Sequence, residues 1–266
     1  MNLKTVLAML ALTCGGMAAE ITGDADSSVE LAKKLSNPIA SLVSVPFQNN
    51  FLFNVGSGDG FRATTNIQPV IPFKLDESWN LISRTILPVT YQEGIFSSSG
   101  KQFGLGDTLQ SLFFSPTSSD VAIWGIGPAF LLSTATDDLL GGGKWGSGPT
   151  GVVLKQSGPW TYGILANHIW YFAGDHDRSE VSSTYHQPFL NYTTQSATTF
   201  SLNTESSYDW QESQWTAPFN AGVSQLIKFG DQPVSIGLQG TWYAAGPSVA
   251  PDWGVRLIFT FLFPKN

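Results

Sequence analysis

From Pro46 to Phe263 apolar and polar residues alternate along the chain with a period of two, and the last segment shows it most cleanly. Val255, Leu257, Phe259, Phe261 and Phe263 share one parity; Arg256, Ile258, Thr260 and Leu262 share the other. Successive side chains of a strand point to opposite faces, so such a segment carries one wholly apolar, aromatic-rich face. Turn signals rich in Gly, Pro, Asn, Asp and Ser cut the chain into segments predicted as strands near 46–56, 61–74, 79–92, 104–115, 120–134, 144–156, 160–173, 184–194, 197–210, 214–228, 233–244 and 253–263. Most are long enough to cross a bilayer at a tilt, which takes about 9–11 residues. No stretch after residue 20 supplies the run of about 18 apolar residues that a transmembrane helix needs.

The connections alternate as well. With both termini periplasmic, the outer connections fall near 57–60, 93–103, 135–143, 174–183, 211–213 and 245–252, and the inner ones near 75–78, 116–119, 157–159, 195–196 and 229–232. Four of the six outer loops have eight residues or more, and every inner turn is short. Long external loops over short periplasmic turns mark an outer-membrane barrel; a soluble β-sandwich has no need of them. The expected fold class is all-β, a twelve-stranded antiparallel transmembrane barrel in the bacterial outer membrane.

Composition agrees. Charged residues make up 12% of the chain, about half of the roughly 25% typical of a soluble domain. Aromatics reach 13%, with 9 Trp. Lys and Arg number 13 against 20 Asp and Glu, a net charge of −7, which speaks against a nucleic-acid binder and its basic patch. One Cys excludes a disulfide framework and a multi-Cys zinc site. Residues 1–19 read as a signal peptide: Lys4, an apolar run from Val6 to Leu12, then small residues before Glu20. Thr13 before Cys14 disfavours a lipid-anchored reading. Without that peptide the chain has no Cys and keeps 12 basic and 20 acidic residues, a net −8 (12 − 20). Residues 20–45 form an N-terminal segment ahead of the barrel at 46–266. In it Leu31 and Leu35 predict a helix over Ser28–Leu35, ended by Asn37-Pro38, which serves as a plug, a periplasmic cap or a linker.

Parity also assigns the lumen. Phe61, Ala63 and Ile67 face lipid, leaving Arg62, Asn66 and Gln68 inside; Trp79, Leu81, Leu87, Val89 and Tyr91 face lipid, leaving Arg84 inside. Arg256 is inward on the last strand, and Asn203, Glu205 and Asp209 are inward on the ninth. Asp107 is placed inside because charge on the lipid face is costly. The expectation is a transverse field, with Arg62, Arg84 and Arg256 on one wall and Glu205 and Asp209, with Asp107 nearby, on the other. Opposed charges are one way a pore selects solutes; the plainer reading is that these side chains pair and fill a closed lumen. Trp79, Tyr91, Trp160, Trp170, Trp210, Trp215 and Trp242 near strand ends read as interfacial girdles. Asp137-Asp138 and Asp175-His176-Asp177 match no calcium motif, and Gly141-Gly142-Gly143 lacks the context of a phosphate loop.

Several stretches occur together: Asn37-Pro38-Ile39-Ala40-Ser41-Leu42 running into Pro46-Phe47-Gln48-Asn49-Asn50; Gly104-Leu105-Gly106-Asp107 followed by Phe113-Phe114-Ser115-Pro116; Asn167-His168-Ile169-Trp170-Tyr171-Phe172-Ala173-Gly174; Gln187-Pro188-Phe189-Leu190-Asn191-Tyr192; Ala250-Pro251-Asp252-Trp253; and Phe261-Leu262-Phe263-Pro264-Lys265. As a set they resemble the bacterial outer-membrane family linked to meta-pathway phenol degradation, whose members are often labelled transporter or neuromedin U. The resemblance runs from about Asn37 to the C-terminus. It implies passage of small, often aromatic compounds and no catalytic residues; the sequence itself points to no cofactor. The Phe-ended last strand likewise resembles the recognition signal of the barrel assembly machinery. Expected partners are outer-membrane lipid, that machinery and a small-molecule solute.

The expected function is passive passage of small hydrophobic or aromatic molecules. A closed structural or surface-interaction barrel acting through its external loops is the first alternative. A membrane-embedded hydrolase is the second. Of His168, His176 and His186 only His168 lies well inside a predicted strand, and no local motif sets a Ser beside it on the same parity.

Overall fold

The structure, a computed structural model, describes residues 25–95, 100–119 and 121–264. The expected signal peptide at 1–19 lies outside the described residues. One helix, α1 (Ala25–Leu35), precedes fifteen strand segments: β1 (Val43–Val55), β2 (Gly60–Ile67), β3 (Val70–Lys74), β4 (Trp79–Glu93), β5 (Lys101–Leu105), β6 (Thr108–Pro116), β7 (Ile123–Leu132), β8 (Lys144–Ser157), β9 (Trp160–Gly174), β10 (Ser182–Thr193), β11 (Thr198–Thr204), β12 (Ser206–Asp209), β13 (Gln214–Phe229), β14 (Gln232–Ala245) and β15 (Trp253–Phe263). They make twelve staves, because β2/β3, β5/β6 and β11/β12 are each one stave with an interruption. Every stave pairs antiparallel with its sequence neighbours. The ring closes where β1 meets β15, in unbroken register from Val43↔Phe263 to Phe53↔Trp253. Closure leaves no unpaired edge, which a lipid-embedded sheet requires.

The stave limits follow the alternation read from the sequence. β1 begins at Val43 rather than Pro46, within the expected N-terminal segment, because closure matches Val43, Ser44 and Val45 to Phe263, Leu262 and Phe261. The interruptions have local causes. Pro69 lacks an N–H and parts β2 from β3. Pro188 on β10 and Pro218 on β13 flank the break at Glu205, and neither can donate to the ladder.

The two faces of each stave differ as parity demands. On β15, Phe259, Phe261 and Phe263 are exposed outward while Arg256, Thr260 and Leu262 are buried inward. On β4, Trp79 is exposed while Ile82 and Gln92 are wholly buried. Trp160, Trp170, Trp210, Trp215 and Trp242 lie exposed on the outer wall near stave ends, where ring and N–H suit the lipid–water boundary. Arg at mid-membrane on the lipid face costs about 2–4 kcal/mol, falling to about 0–1 at the interfaces. Phe259→Arg, at mid-stave, is therefore expected to lower the urea midpoint of the barrel in vesicles, and Phe263→Arg, at the stave end, to leave it nearly unchanged. Equal shifts would contradict the assigned membrane depth.

The N-terminal segment enters the mouth that carries the short turns. Ile39 packs with Val70, Ile82, Phe113, Val152, Leu154 and Leu165, all buried. Ala32, Ala40 and Leu42 pack with Ala197, Leu226 and Leu262 on the other side. Gln156 Nε2 donates to the carbonyl of Lys33 at 2.8 Å, and Asn80 Nδ2 donates to Ser41 Oγ at 3.3 Å. The segment thus leans on both walls of the barrel, with apolar contacts from α1 and from the chain that follows it.

Candidate functional site

Three charged side chains, Arg84, Arg256 and Glu205, meet in the polar middle of the lumen. Arg256, on β15, donates from Nη1 and Nη2 to the two carboxylate oxygens of Glu205, each at 2.7 Å. Its Nε donates to Asn50 Oδ1 at 2.6 Å, and Nη1 also reaches Gln239 Oε1 at 3.3 Å. Glu205 stands three staves away at the break between β11 and β12, so this fork-to-fork pair is a chord across the lumen rather than a neighbour contact. The planar guanidinium matches a carboxylate in this two-bonded geometry. Gln48 lies against Arg256, and the amide of Gln68 meets that of Gln48. Arg84 Nη2 donates to Gln68 Oε1 at 3.2 Å. A chain of polar contacts therefore links Arg84, Gln68, Gln48, Arg256 and Glu205.

The other expected lumen residues fall into two groups. Arg62 Nε donates to Gln92 Oε1 at 2.9 Å, one row nearer the long-loop mouth. Asn203 Oδ1 accepts from Asn220 Nδ2 at 2.9 Å, and Asn220 Oδ1 accepts from Thr241 Oγ1 at 2.6 Å. Asn66 stands in register between Gln48 and Pro88. Asp107 and Asp209 do not join the central group. Asp107 sits at the β5/β6 interruption and accepts from the backbone N–H of Ala135 at 3.2 Å and of Gly142 at 2.6 Å. Asp209 ends β12 and accepts from the N–H of Gln211 at 2.8 Å and of Glu212 at 3.2 Å. An acid at a stave end finds free loop N–H groups before it finds a partner across the lumen. The acidic wall expected from parity reduces to Glu205.

The loop after β7 is held by Asp107, and a Cβ on Gly141 would come within 2.8 Å of both its carboxylate oxygens. Asp107→Ala leaves two loop N–H groups without their acceptor, so the loop is expected to open more readily. Amide exchange at Ala135 and Gly142 is expected to quicken at least tenfold while that of β9 stays unchanged. Unchanged exchange at the loop would mean that Asp107 does not hold it.

A chamber of about 270 Å³ lies between the Arg256–Glu205 chord and the N-terminal segment. Gln68, Arg84, Asn203 and Gln239 line it on the chord side; Leu35, Asn37 and Leu42 line it on the segment side. Phe189 and Ile258 contribute apolar wall between hydroxyl-bearing Ser201, Ser224 and Thr260. Gln48, Asn50, Gln239 and Asn220 were outside the expected set. Gln48, Asn50 and Gln239 share Arg256's face in the paired register, a signal that becomes usable only once the register is known.

The outer wall holds a second polar group. His168 on β9 stands opposite Thr184 on β10, with Nδ1 2.7 Å from Thr184 Oγ1. Trp210 Nε1 donates to the same hydroxyl at 2.8 Å. His168 Nε2 is buried without a hydrogen-bond partner among the described residues. Asn167, its neighbour in sequence, has the opposite parity and is buried toward the lumen. A hydroxyl and an imidazole do converge here, brought together by register between two strands.

No known protein-family model matches the chain, and no curated protein matches it. Among solved structures it is similar to the COG4313 outer membrane channel from Pseudomonas putida F1, with a TM-score of 0.65, 14% identity, and 84% of this chain and 94% of that chain covered. It is also similar to the outer membrane phospholipase A from Escherichia coli, with a TM-score of 0.49, 10% identity, and 89% and 98% covered. At such identities the likeness is one of fold. With the closed twelve-stave barrel and its apolar outer face, it makes this chain an outer-membrane β-barrel.

Proposed function

We propose that the barrel passes small hydrophobic or aromatic molecules across the outer membrane by passive diffusion through its lumen. The observation that carries this reading is the chamber between the Arg256–Glu205 chord and the N-terminal segment, which pairs apolar wall at Phe189 and Ile258 with amide and hydroxyl groups. A wall of both kinds suits a solute that must leave water, turn and leave again, because few contacts bind it tightly at one spot. The chord narrows the path on one side of the chamber and the segment narrows it on the other. The likeness to a solved outer membrane channel supports the same reading. Arg62, Arg84, Arg256 and Glu205, with Asn66, Gln68 and Asn203, are the residues proposed to shape the path; Asp107 and Asp209 act through the loops they hold.

The tight seating of the N-terminal segment favours the closed, structural alternative, in which the lumen is only a filled core. The His168–Thr184 pair is the one feature that favours a hydrolase. Among the described residues that pair lacks the third group that orients the base in a catalytic triad: Nε2 has no acceptor there, and Asn167 faces away. The experiment is solute-dependent swelling of liposomes carrying the refolded barrel, run beside an ester-hydrolysis assay on the same vesicles. Faster swelling with aromatic than with sugar solutes and no hydrolysis is the expected result. Swelling no faster than in empty vesicles would overturn the passage reading, and hydrolysis abolished by His168→Ala would replace it with the enzyme.

A further inference from the structure

The interior of this acidic chain is basic. The whole sequence carries a net −7, yet Arg62, Arg84 and Arg256 face the lumen against Glu205, a balance of +2 (3 − 1) among these four lumen charges. The excess bears on the chamber. Among the described residues its two charged lining residues are Arg84 and Lys34, and no Asp or Glu lines it. Glu205 is committed to Arg256 through both of its oxygens. Arg84 has no carboxylate within 4.0 Å among the described residues, and of its five N–H donors one reaches a protein acceptor, Gln68. Lys34 has no ion pair among the described residues either.

A guanidinium held in a lumen away from bulk water is costly without an opposite charge, and intramembrane cations of this kind mark ion or substrate paths. Arg84, on the barrel wall, carries the anion-attracting site, and Lys34, exposed on α1 at the edge of the same chamber, adds to its positive field, as basic side chains do in anion and phosphate pores. The wall between them carries Phe189 and Ile258, so the site suits an anion with an apolar body rather than a bare inorganic one. We infer that the chamber is a binding site for a small organic carboxylate with an aromatic or aliphatic body, whose carboxylate is taken by the free edge of Arg84 while Lys34 adds charge from the plug side. This deepens the passage reading by giving the solute its chemical class, and it rests on that reading only for the claim that the bound molecule goes on to cross.

The test is equilibrium binding to the barrel extracted in detergent from outer membranes, followed by calorimetry, with benzoate, benzyl alcohol and acetate as probes. Benzoate is expected to bind at least tenfold more tightly than either of the other two. Arg84→Gln should remove that margin over benzyl alcohol, Arg84→Lys should keep part of it, and Lys101→Gln, an exposed change at the start of β5 and outside the chamber, should leave it unchanged. Each variant is first checked for the heat-dependent gel shift of a folded barrel. If Arg84→Gln does not fold, Lys34→Gln replaces it and should weaken benzoate without touching benzyl alcohol. Equal binding of benzoate and benzyl alcohol, no binding of either, or a margin that survives Arg84→Gln would overturn the inference. Acetate as tight as benzoate would overturn the apolar-body requirement. Benzoate binding without benzoate flux in vesicles would leave the site standing and overturn the passage reading instead.

Discussion

Arg256→Ala is expected to destabilise the barrel by about 3–5 kcal/mol, because it strands the Glu205 carboxylate without its partner in the low-dielectric middle of the lumen. The same change frees Asn50 and Gln239 from their guanidinium bonds, and their amides then need new partners. Glu205→Ala should cost a comparable amount, since it strands Arg256 beside Arg84. The double variant should cost clearly less than the sum of the two, because neither charge is then left alone. Replacing the pair with apolar side chains of similar volume should be close to neutral, as for other buried ion pairs. Urea titration in vesicles, read by the fluorescence of the 9 Trp residues, measures all four. Additive single-variant losses would mean that the chord contributes no coupling across the lumen. The chord also narrows the path, so the double variant should carry solute faster than the parent while being more stable than either single variant.

Ile39→Asp is the second change with a large expected effect. Ile39 is 3% exposed and sits among Val70, Ile82, Phe113, Val152, Leu154 and Leu165. A carboxylate there has no partner, and burying it costs several kcal/mol. The staves are held by their own ladder and lipid-facing surfaces, so the segment should leave the lumen while the barrel stays folded. Amides of residues 36–42 are then expected to exchange like those of a free chain, with β1 and β15 protected as before. Ile39→Val removes one methylene, costs about 0.5–1.5 kcal/mol and should leave the segment seated. Unfolding of the whole barrel in Ile39→Asp would show that the segment is structural core rather than a seated insert.

Most of the fold was legible because a barrel wall writes two signals at once. Lipid facing on every second residue fixes strand type and face, so Phe259 and Arg256 are sorted without any structure. Alternating long and short connections then fixes direction and stave count. The site was legible only as far as parity goes. Parity says that Arg256 and Glu205 both face inward, but which inward groups touch across the lumen depends on tilt and stagger, which leave no local trace. Asp107 and Asp209 stay apart from the central group for a related reason: these two sit at an interruption and an end, where a carboxylate binds loop N–H groups. Thr184 beside His168 was missed because sixteen residues and a long loop separate them, and only the β9–β10 register brings them together. The first residues of β1 were missed because Val43-Ser44-Val45 looks like linker until Phe263 is known to need a partner.

The chamber, the chord and the seated segment together make one claim: solute crosses through the lumen, and the N-terminal segment limits the rate. The most direct measurement is the rate of benzoate and benzyl alcohol entry into vesicles carrying either the complete barrel or a barrel lacking residues 25–42. The account predicts entry above the empty-vesicle rate for the complete barrel and a rise of at least tenfold without the segment. Entry at the empty-vesicle rate in both, from barrels that pass the gel-shift test of folding, would contradict it.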